Sequence, residues 1–372
     1  MNQTLICTIP ANINTYEIVI QHAGLSQQLA YFKSLHAKCA IITDDNLVLL
    51  YGEPLCQALK ESEVEAHLFS FPAGEASKTR ATKEQLEDQL FAKGLGRDTC
   101  ILALGGGVVT DITGYLAATY CRGVPLVMLP TSLLAMVDAS LGGKTGVNVT
   151  AGKNLLGCIY QPQRVIIDTS TLQSLPKKEL TNGIVEMLKH GIITNTSYFE
   201  FLEQHAHELL ALDPHTLKTA IFESCRIKNE IVEQDEKEQG KRHLLNFGHT
   251  VGHTLETLTH YSLSHGEAVA IGMLVESKLA VLLGHLTQDS FERIYQVLMA
   301  YHLPLQLPCQ FSIHTLLEAM SMDKKSLKGR PRFVIINGIG SALPCESLYC
   351  MHVEEAVLKT ALDWMNNALC CH

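Results

Sequence analysis

The chain has 372 residues, 47% of them hydrophobic and 18% charged, which is ordinary globular usage and enough length for two or three domains of about 150 residues each. A small stapled module, a disordered tail and a fibrous repeat are excluded. A net charge of −9, from 29 basic and 38 acidic residues without a Lys/Arg-rich run, argues against nucleic acid or an anionic membrane as the main partner and favours small molecules.

In the first half, short β-branched runs alternate with helical patterns. Glu17–Ile20, Cys39–Thr43, Glu65–Phe71, Cys100–Leu104, Leu126–Leu129 and Val165–Asp168 read as strands. Strand-helix alternation predicts right-handed crossovers and a mostly parallel sheet covered on both faces, with ligands at the carboxyl ends of the strands. The longest apolar stretch, Cys100 to Tyr120, contains Asp111 and four glycines and is no membrane span. After Pro176 long amphipathic runs take over, at Lys178–Thr194, His215–Glu233, Gly248–Thr259 and Gly266–Leu283. The expected division is an α/β domain over residues 1–175 and an all-helical domain over 176–372. The twelve cysteines are scattered without a CxxC pair, and no Lys or Arg precedes Lys33, so reduced thiols and a cytoplasmic protein without a secretory leader are expected.

Several stretches suit chemistry. Strand Cys100–Leu104 runs into Gly105-Gly106-Gly107, and Val108-Val109-Thr110-Asp111 then opens a helix, a turn at which phosphate can approach main-chain N–H groups and the positive helix end. A tight packing turn is the alternative. Thr43-Asp44-Asp45-Asn46 ends an earlier strand, where a carboxylate suits ribose hydroxyls or a helix cap. Gly142-Gly143-Lys144-Thr145 lacks the upstream glycine of a phosphate loop; with Lys153-Asn154 it reads as a glycine-lined loop for an anion, or as a solvated loop.

Five of the 17 histidines (His243, His249, His253, His260, His265) fall within 23 residues, where even scatter gives about one. His249 and His253 share a helical face and His265 opens the next helix, a pattern that points to a metal, with Glu186 a carboxylate candidate. A plain helix pair of Glu186 with Lys189 or His190 is its alternative. Arg122, Lys189, Lys228, Arg242 and the Lys324-Lys325 pair would bind a phosphorylated anion if they converge.

Taken together, Pro72-Ala73-Gly74-Glu75 to Lys78, Gly105 to Asp111, Tyr120-Cys121-Arg122-Gly123-Val124, Pro130-Thr131-Ser132-Leu133, Val137 to Thr145, Gly152-Lys153-Asn154, Leu245 to His253, His265-Gly266-Glu267-Ala268-Val269 and Met322-Asp323-Lys324-Lys325 resemble, in order and spacing, the 3-dehydroquinate synthase family of the sugar-phosphate cyclase superfamily. The resemblance covers nearly the whole chain. It implies a Rossmann-like domain followed by a helical one with the active site in the cleft between them. It also implies conversion of 3-deoxy-D-arabino-heptulosonate 7-phosphate into 3-dehydroquinate and phosphate in the shikimate pathway, by a lyase that uses NAD catalytically and a divalent metal, zinc or else cobalt, as a cytoplasmic homodimer.

By the same resemblance Glu186, His249 and His265 are the metal ligands, and His253 faces the substrate phosphate instead. Asp138, Lys144, Lys189, Lys228, Arg242 and Asn246 match catalytic positions; Arg122, Asn154 and one of Lys324 or Lys325 match substrate-binding ones. Cofactor positions are Asp44 and Asn46; Ala73, Gly74, Glu75, Ala76, Ser77 and Lys78; Gly105, Gly106, Gly107, Val108, Val109, Thr110 and Asp111; Thr131, Ser132, Lys144 and Lys153; and Thr171, Leu172, Gln173 and Ser174. Departures are small: Ser132 stands where a second threonine is usual, Ala76-Ser77 replace bulkier residues, and His190 stands where tyrosine is common. Another sugar-phosphate cyclase or a metal-dependent polyol dehydrogenase is the nearest rival, told apart by the substrate-pocket residues, and a non-catalytic nucleotide-binding or metal-storage protein is the rival from a different class. A dehydrogenase would release NADH stoichiometrically, and a binding protein would not need the cations.

Overall fold

The computed structural model describes residues 3–9, 14–35, 38–322, 330–345 and 348–370. The chain forms two units, Met1–Leu180 with Leu217–Asn229, and Thr181–Thr216 with Glu230–His372.

In the first unit the elements are β1 (Gln3–Ile9), β2 (Asn14–Gln21), α1 (Leu29–Ser34), β3 (Lys38–Asp44), α2 (Glu53–Glu61), β4 (Ala66–Phe71), α3 (Arg80–Ala92), β5 (Thr99–Gly105), α4 (Gly107–Thr119), β6 (Leu126–Pro130), β7 (Lys144–Val149), β8 (Gly152–Ile159) and β9 (Arg164–Asp168). Seven strands form one sheet in the order β1-β2-β9-β6-β5-β3-β4, and six of them run parallel. All six expected strands are present. An antiparallel edge strand, β1, is added to them, in register with β2 from Gln3 opposite Ile20 to Ile9 opposite Asn14.

The central strands β5 and β6 are buried along their whole length, which is why they read as unbroken apolar runs rather than as alternations. Phe32, Ile41, Leu55, Leu59, Leu102, Leu104, Val127, Leu129 and Ile166 make the core on one side, with the thiols of Cys39, Cys56 and Cys100 among them. The direction of crossover reverses between β3 and β5, and the carboxyl ends of strands at such a switch point are the usual nucleotide position of such sheets.

One expectation is corrected. Lys144, Lys153 and Asn154 lie on the antiparallel hairpin β7–β8 and not in an irregular loop. Its glycines mark close backbone approach: a Cβ on Gly157 would stand 1.9 Å from the carbonyl oxygen of Thr145, and one on Gly114 of α4 2.3 Å from the Thr145 methyl.

The second unit is helical; of the helices that follow, the segment Leu217–Asn229 belongs to the first unit. Along the chain follow α5 (Lys177–Thr194), α6 (Thr196–Gln204), α7 (Ala206–Leu210), α8 (Pro214–Gln234), α9 (His249–Leu258), α10 (His265–Leu282), α11 (Gln288–Ala300), α12 (Ile313–Met322) and α13 (Glu355–Leu369), with a short pair β10 (Ile336–Gly338) and β11 (Ser341–Ala342) that the helical reading omits. Helix α10 is buried on nearly every side. Small residues let it lie backbone to backbone with α9: a Cβ on Gly272 would meet the carbonyl oxygen of Gly248 at 1.9 Å, and one on Gly252 the Cα of Val269 at 3.1 Å. Gly248 itself has φ +77°, a left-handed conformation that suits glycine immediately before α9. Among the described residues no helix is long and apolar enough to cross a membrane.

Candidate active site

In the first unit the glycine turn sits at the carboxyl edge of the sheet as expected. The main-chain N–H of Thr131 donates to the Gly105 carbonyl at 3.0 Å, and the Thr43 hydroxyl to the Leu104 carbonyl at 2.7 Å, locking the ends of β6 and β3 to β5. Gly106 is the residue preceding α4, so the first-turn N–H groups meet no capping side chain. A Cβ on Gly106 would come within 3.3 Å of the Ser132 hydroxyl, and one on Gly107 within 3.5 Å of the Ala139 Cβ. The turn therefore keeps open a cradle of the kind that takes a phosphate. Val108, Val109 and Thr110 continue the first turn of α4, and one turn on the half-buried Asp111 forms an ion pair with the buried Lys78. Burial raises the Asp111 carboxyl above its ordinary value, against the pull of the Lys78 ammonium.

Lys78 closes the turn Glu75–Ser77, which follows Ala73 and Gly74 and is stitched to the β7–β8 hairpin. The Asn148 N–H donates to the Lys78 carbonyl at 2.8 Å and its amide to Glu75 Oε1 at 2.7 Å, while Asn154 N–H donates to Asn148 Oδ1 at 2.9 Å. Asp44 ends β3, accepts the Asn46 N–H at 3.0 Å, and has its carboxyl raised by burial. Thr171, Leu172, Gln173 and Ser174 form the turn after β9, where Tyr51 Oη meets the Ser174 hydroxyl at 2.7 Å. In this unit Lys228, from the segment Leu217–Asn229 of α8, is buried and donates to both Oδ1 and the carbonyl of Asp138. Arg122, with φ +69°, and Lys144 are exposed.

In the second unit the histidine cluster separates into two groups. The rings of His249, His253 and His265 converge, with centroids 5.4, 5.4 and 6.1 Å apart. His243 bonds the Gly240 carbonyl in its own turn and His260 is exposed, so neither joins them.

Glu186, wholly buried on α5, faces the cluster with a divided carboxylate. One oxygen takes the Lys189 ammonium; the other, Oε1, lies 3.5 Å from His249 Nε2 and 3.6 Å from His265 Nε2. Those separations are long for hydrogen bonds, but two ligands of a tetrahedral ion with bonds of about 2.0–2.2 Å stand about 3.3–3.6 Å apart. Two imidazoles and one carboxylate are also a donor set that zinc accepts while keeping a position open. The residues therefore fit a divalent ion. Burial works against a charged His265, but the carboxylates of Glu186 and Glu256 outweigh it and raise this imidazole to about 9.

In the same unit Arg242 is buried, its main-chain N–H donating to Asp235 at 3.0 Å and its guanidinium to the Glu236 carbonyl at 2.5 Å, and the Asn246 amide donates to Glu238 at 2.8 Å. Asp235 also accepts from Gln239 and Gly240, fixing the 3₁₀ turn Lys241–Asn246.

Two further supports carry no motif of their own. Asn182, four residues before Glu186 on α5, accepts from the Ser264 hydroxyl at 2.9 Å and from the Gly266 N–H at 3.0 Å, bracketing His265. Glu256, buried on α9, sits 3.6 Å from His265 Nδ1. Its spacing, seven after His249 and three after His253, is visible in the sequence. Lys324 and Lys325 lie outside the described residues.

Such a sheet with a glycine cradle, together with a helical unit carrying a buried two-histidine, one-carboxylate cluster, has the architecture of the sugar-phosphate cyclases. The chain matches 2-epi-5-epi-valiolone synthase from Streptomyces hygroscopicus, solved with NAD+ and Zn2+ bound, at 32% identity and a TM-score of 0.86 over 95% of this chain and 97% of that one. It shares the fold of a 2-deoxy-scyllo-inosose synthase complexed with carbaglucose-6-phosphate, NAD+ and Co2+, at 24% identity and a TM-score of 0.89, covering 99% of this chain and 100% of that one.

Residues 68–182 match the 3-dehydroquinate synthase N-terminal family and residues 183–326 the 3-dehydroquinate synthase C-terminal family. The 3-dehydroquinate synthase of Desulforamulus reducens is 43% identical over 329 residues, 88% of this chain and 92% of that one. That of Nitrosomonas europaea is 43% identical over 343 residues, 92% of each. The chain belongs to the 3-dehydroquinate synthase family.

Proposed function

We propose that the protein is a carbon-oxygen lyase converting 3-deoxy-D-arabino-heptulosonate 7-phosphate into 3-dehydroquinate and phosphate in the shikimate pathway, with NAD used catalytically and a divalent ion, zinc, held by Glu186, His249 and His265. The observation that carries the metal assignment is the divided Glu186 carboxylate, with two Nε2 atoms aimed at one oxygen and a lysine at the other. When bound, NAD supplies a hydride acceptor that is regenerated within each turnover, and the metal lowers the pKa of a ligated substrate hydroxyl.

The chain's own residues do the rest. The N-terminus of α4 with Gly106 and Gly107 takes the dinucleotide phosphates, and Asp44, Asn46, Ala73 to Lys78, Asp111, Thr131, Ser132, Lys153 and Thr171 to Ser174 hold the remainder of the cofactor. From the first unit Arg122, Lys144, Asn154 and Lys228 bind the anionic substrate, with Asp138 orienting Lys228. From the second, Lys189, Arg242, Asn246 and His253 do so, with Lys324 or Lys325. Arginine forks and lysine point charges suit a phosphate and a carboxylate. Ring opening and aldol closure then require mainly that one reactive conformer be held. The division at residues 175 and 176, a cytoplasmic setting and a homodimer belong to the same reading.

Metal-loaded protein, mixed with the heptulosonate phosphate and trace NAD, is expected to release phosphate and 3-dehydroquinate in equal amounts and to stop when a chelator is added. Stoichiometric NADH without phosphate release would replace the synthase by a dehydrogenase.

A further inference from the structure

We propose that Glu256 is the positioning residue of the metal centre: through Nδ1 of His265 it holds that ring with its opposite nitrogen, Nε2, as the ligand atom. The inference rests on the assignment of Glu186, His249 and His265 as the ligands. Its basis is that the two rings are placed alike by different means.

His249 Nδ1 lies 3.0 Å from the Phe247 carbonyl, two residues back in the chain, and its Nε2 lies 3.5 Å from Glu186 Oε1. His265 Nδ1 lies 3.6 Å from Glu256 Oε2, and its Nε2 3.6 Å from Glu186 Oε1. Each ring thus has an oxygen behind Nδ1, in hydrogen-bond contact at 3.0 Å for His249 and as a charged neighbour at 3.6 Å for His265, and the same carboxylate oxygen before Nε2. An acceptor at Nδ1 keeps the ring proton there and leaves the Nε2 lone pair for a cation, since a neutral imidazole carries only one N–H. For His249 the acceptor is a main-chain carbonyl that local geometry supplies. His265 is the first residue of α10, and its acceptor comes from another helix. That acceptor is charged, and a carboxylate behind the ring raises the donor strength of the opposite nitrogen more than a carbonyl does.

Burial marks Glu256 as more than a solvated helix residue, since it is only 6% exposed. The rival role is direct ligation, because His253, Glu256 and His265 also bring three donor atoms together. An ion there would bind His265 through Nδ1 while Nε2 held the first ion, which strips both protons from one imidazole. The cheaper arrangement is one ion with Glu256 behind its ligand.

The test uses the full chain, freed of metal by dialysis. Zn2+ affinity is measured by competition with a chromophoric chelator, and Co2+ loading by its visible spectrum, in the wild type, Glu256→Gln, Glu256→Ala and His265→Ala. Glu256→Gln, which keeps an acceptor but no charge, is expected to weaken Zn2+ about tenfold, and Glu256→Ala on the order of a hundredfold, both with one ion per chain and NAD affinity within twofold of wild type.

Zinc affinity within twofold of wild type in Glu256→Gln overturns the proposal, and should the alanine variant not fold, this comparison decides it alone. Two ions per wild-type chain with the second lost in Glu256→Gln also overturns it, making Glu256 a ligand. Unchanged zinc affinity in His265→Ala is a separate failure, that of the ligand assignment beneath the proposal.

Discussion

Gly272→Ala tests whether the histidine geometry depends on the backbone packing of α9 against α10. In an ordinary helix interior the substitution would stabilise by about 1 kcal/mol, because alanine is the better helix former. Here the added Cβ would stand 1.9 Å from the Gly248 carbonyl oxygen, 2.8 Å from its carbon and 3.0 Å from the Gly252 nitrogen, all main-chain atoms with no rotamer to change. Even to reach 3.0 Å from that oxygen the two helices must part by about 1.1 Å at this point. Overpacking of this kind costs about 1–3 kcal/mol, so the propensity gain is cancelled or reversed.

The functional effect is expected to be larger. His249 and His253 ride on α9 and His265 on α10, so a shift near 1 Å changes the 5.4 Å spacing of the His249 and His265 rings. Misplacement of that size costs on the order of a hundredfold in rate. Urea denaturation, zinc competition and turnover are measured beside Gly338→Ala, at a position with nothing within 4 Å of the added Cβ, which is expected to behave as wild type. A Gly272→Ala protein that is stabilised by about 1 kcal/mol, with zinc affinity and turnover intact, would refute the packing argument.

Other outcomes follow from the same geometry. Asn182→Ala removes the acceptor shared by the Ser264 hydroxyl and the Gly266 N–H; a loss of about 1–3 kcal/mol and weaker zinc binding are expected, and unchanged chelator competition would show that the bracket does not hold His265. Lys78→Met strands Asp111 and is expected to cost about 3 kcal/mol, the low end for a broken buried pair because Asp111 keeps 20% of its exposure. Adding Asp111→Asn should restore part of that loss in urea titrations. No recovery in the double variant would show that the stranded charge is not the cause. For Asp235, burial pushes the carboxyl up, but the N–H groups of Gln239, Arg242 and Gly240 overcome it and hold it below its usual value. Its contribution is therefore present above about pH 4 and lost as pH falls through the lower folded value. Asp235→Asn is expected to be less stable than wild type at pH 7 and to converge with it in acid; stability curves that stay parallel from pH 7 to pH 3 would remove Asp235 from the account.

The sheet was legible because its central strands are covered on both faces and leave continuous apolar runs such as Cys100–Leu104. The β7–β8 hairpin was not, since its glycines look like loop punctuation and only the tertiary structure shows the two strands passing too close for a side chain at Gly146 and Gly157. The histidine signal separates along the same line. Spacing put His249 and His253 on one face, but that His243 turns to Gly240 instead of joining them depends on the local turn. Glu256 follows the spacing of that face and was available to the same reading. Asn182 was not: its role comes from accepting two bonds across a sequence gap of more than 80 residues, which no periodicity encodes.

Helix α8 carries a consequence for synthesis. Residues Leu217–Asn229 belong to the α/β unit, although the stretch between Leu180 and Leu217 does not. On the ribosome, at about 5–20 residues per second, the 49 residues from Leu180 to Asn229 take roughly 2–10 s to make. Through that interval Asp138 waits for Lys228 and the Met136 carbonyl for the Cys225 thiol. A gene cut after residue 180 would leave the first fragment in that waiting state permanently, with no later segment to complete it. The α/β unit is thus contiguous in space but not in time, and its last piece arrives only after part of the helical unit has already been made.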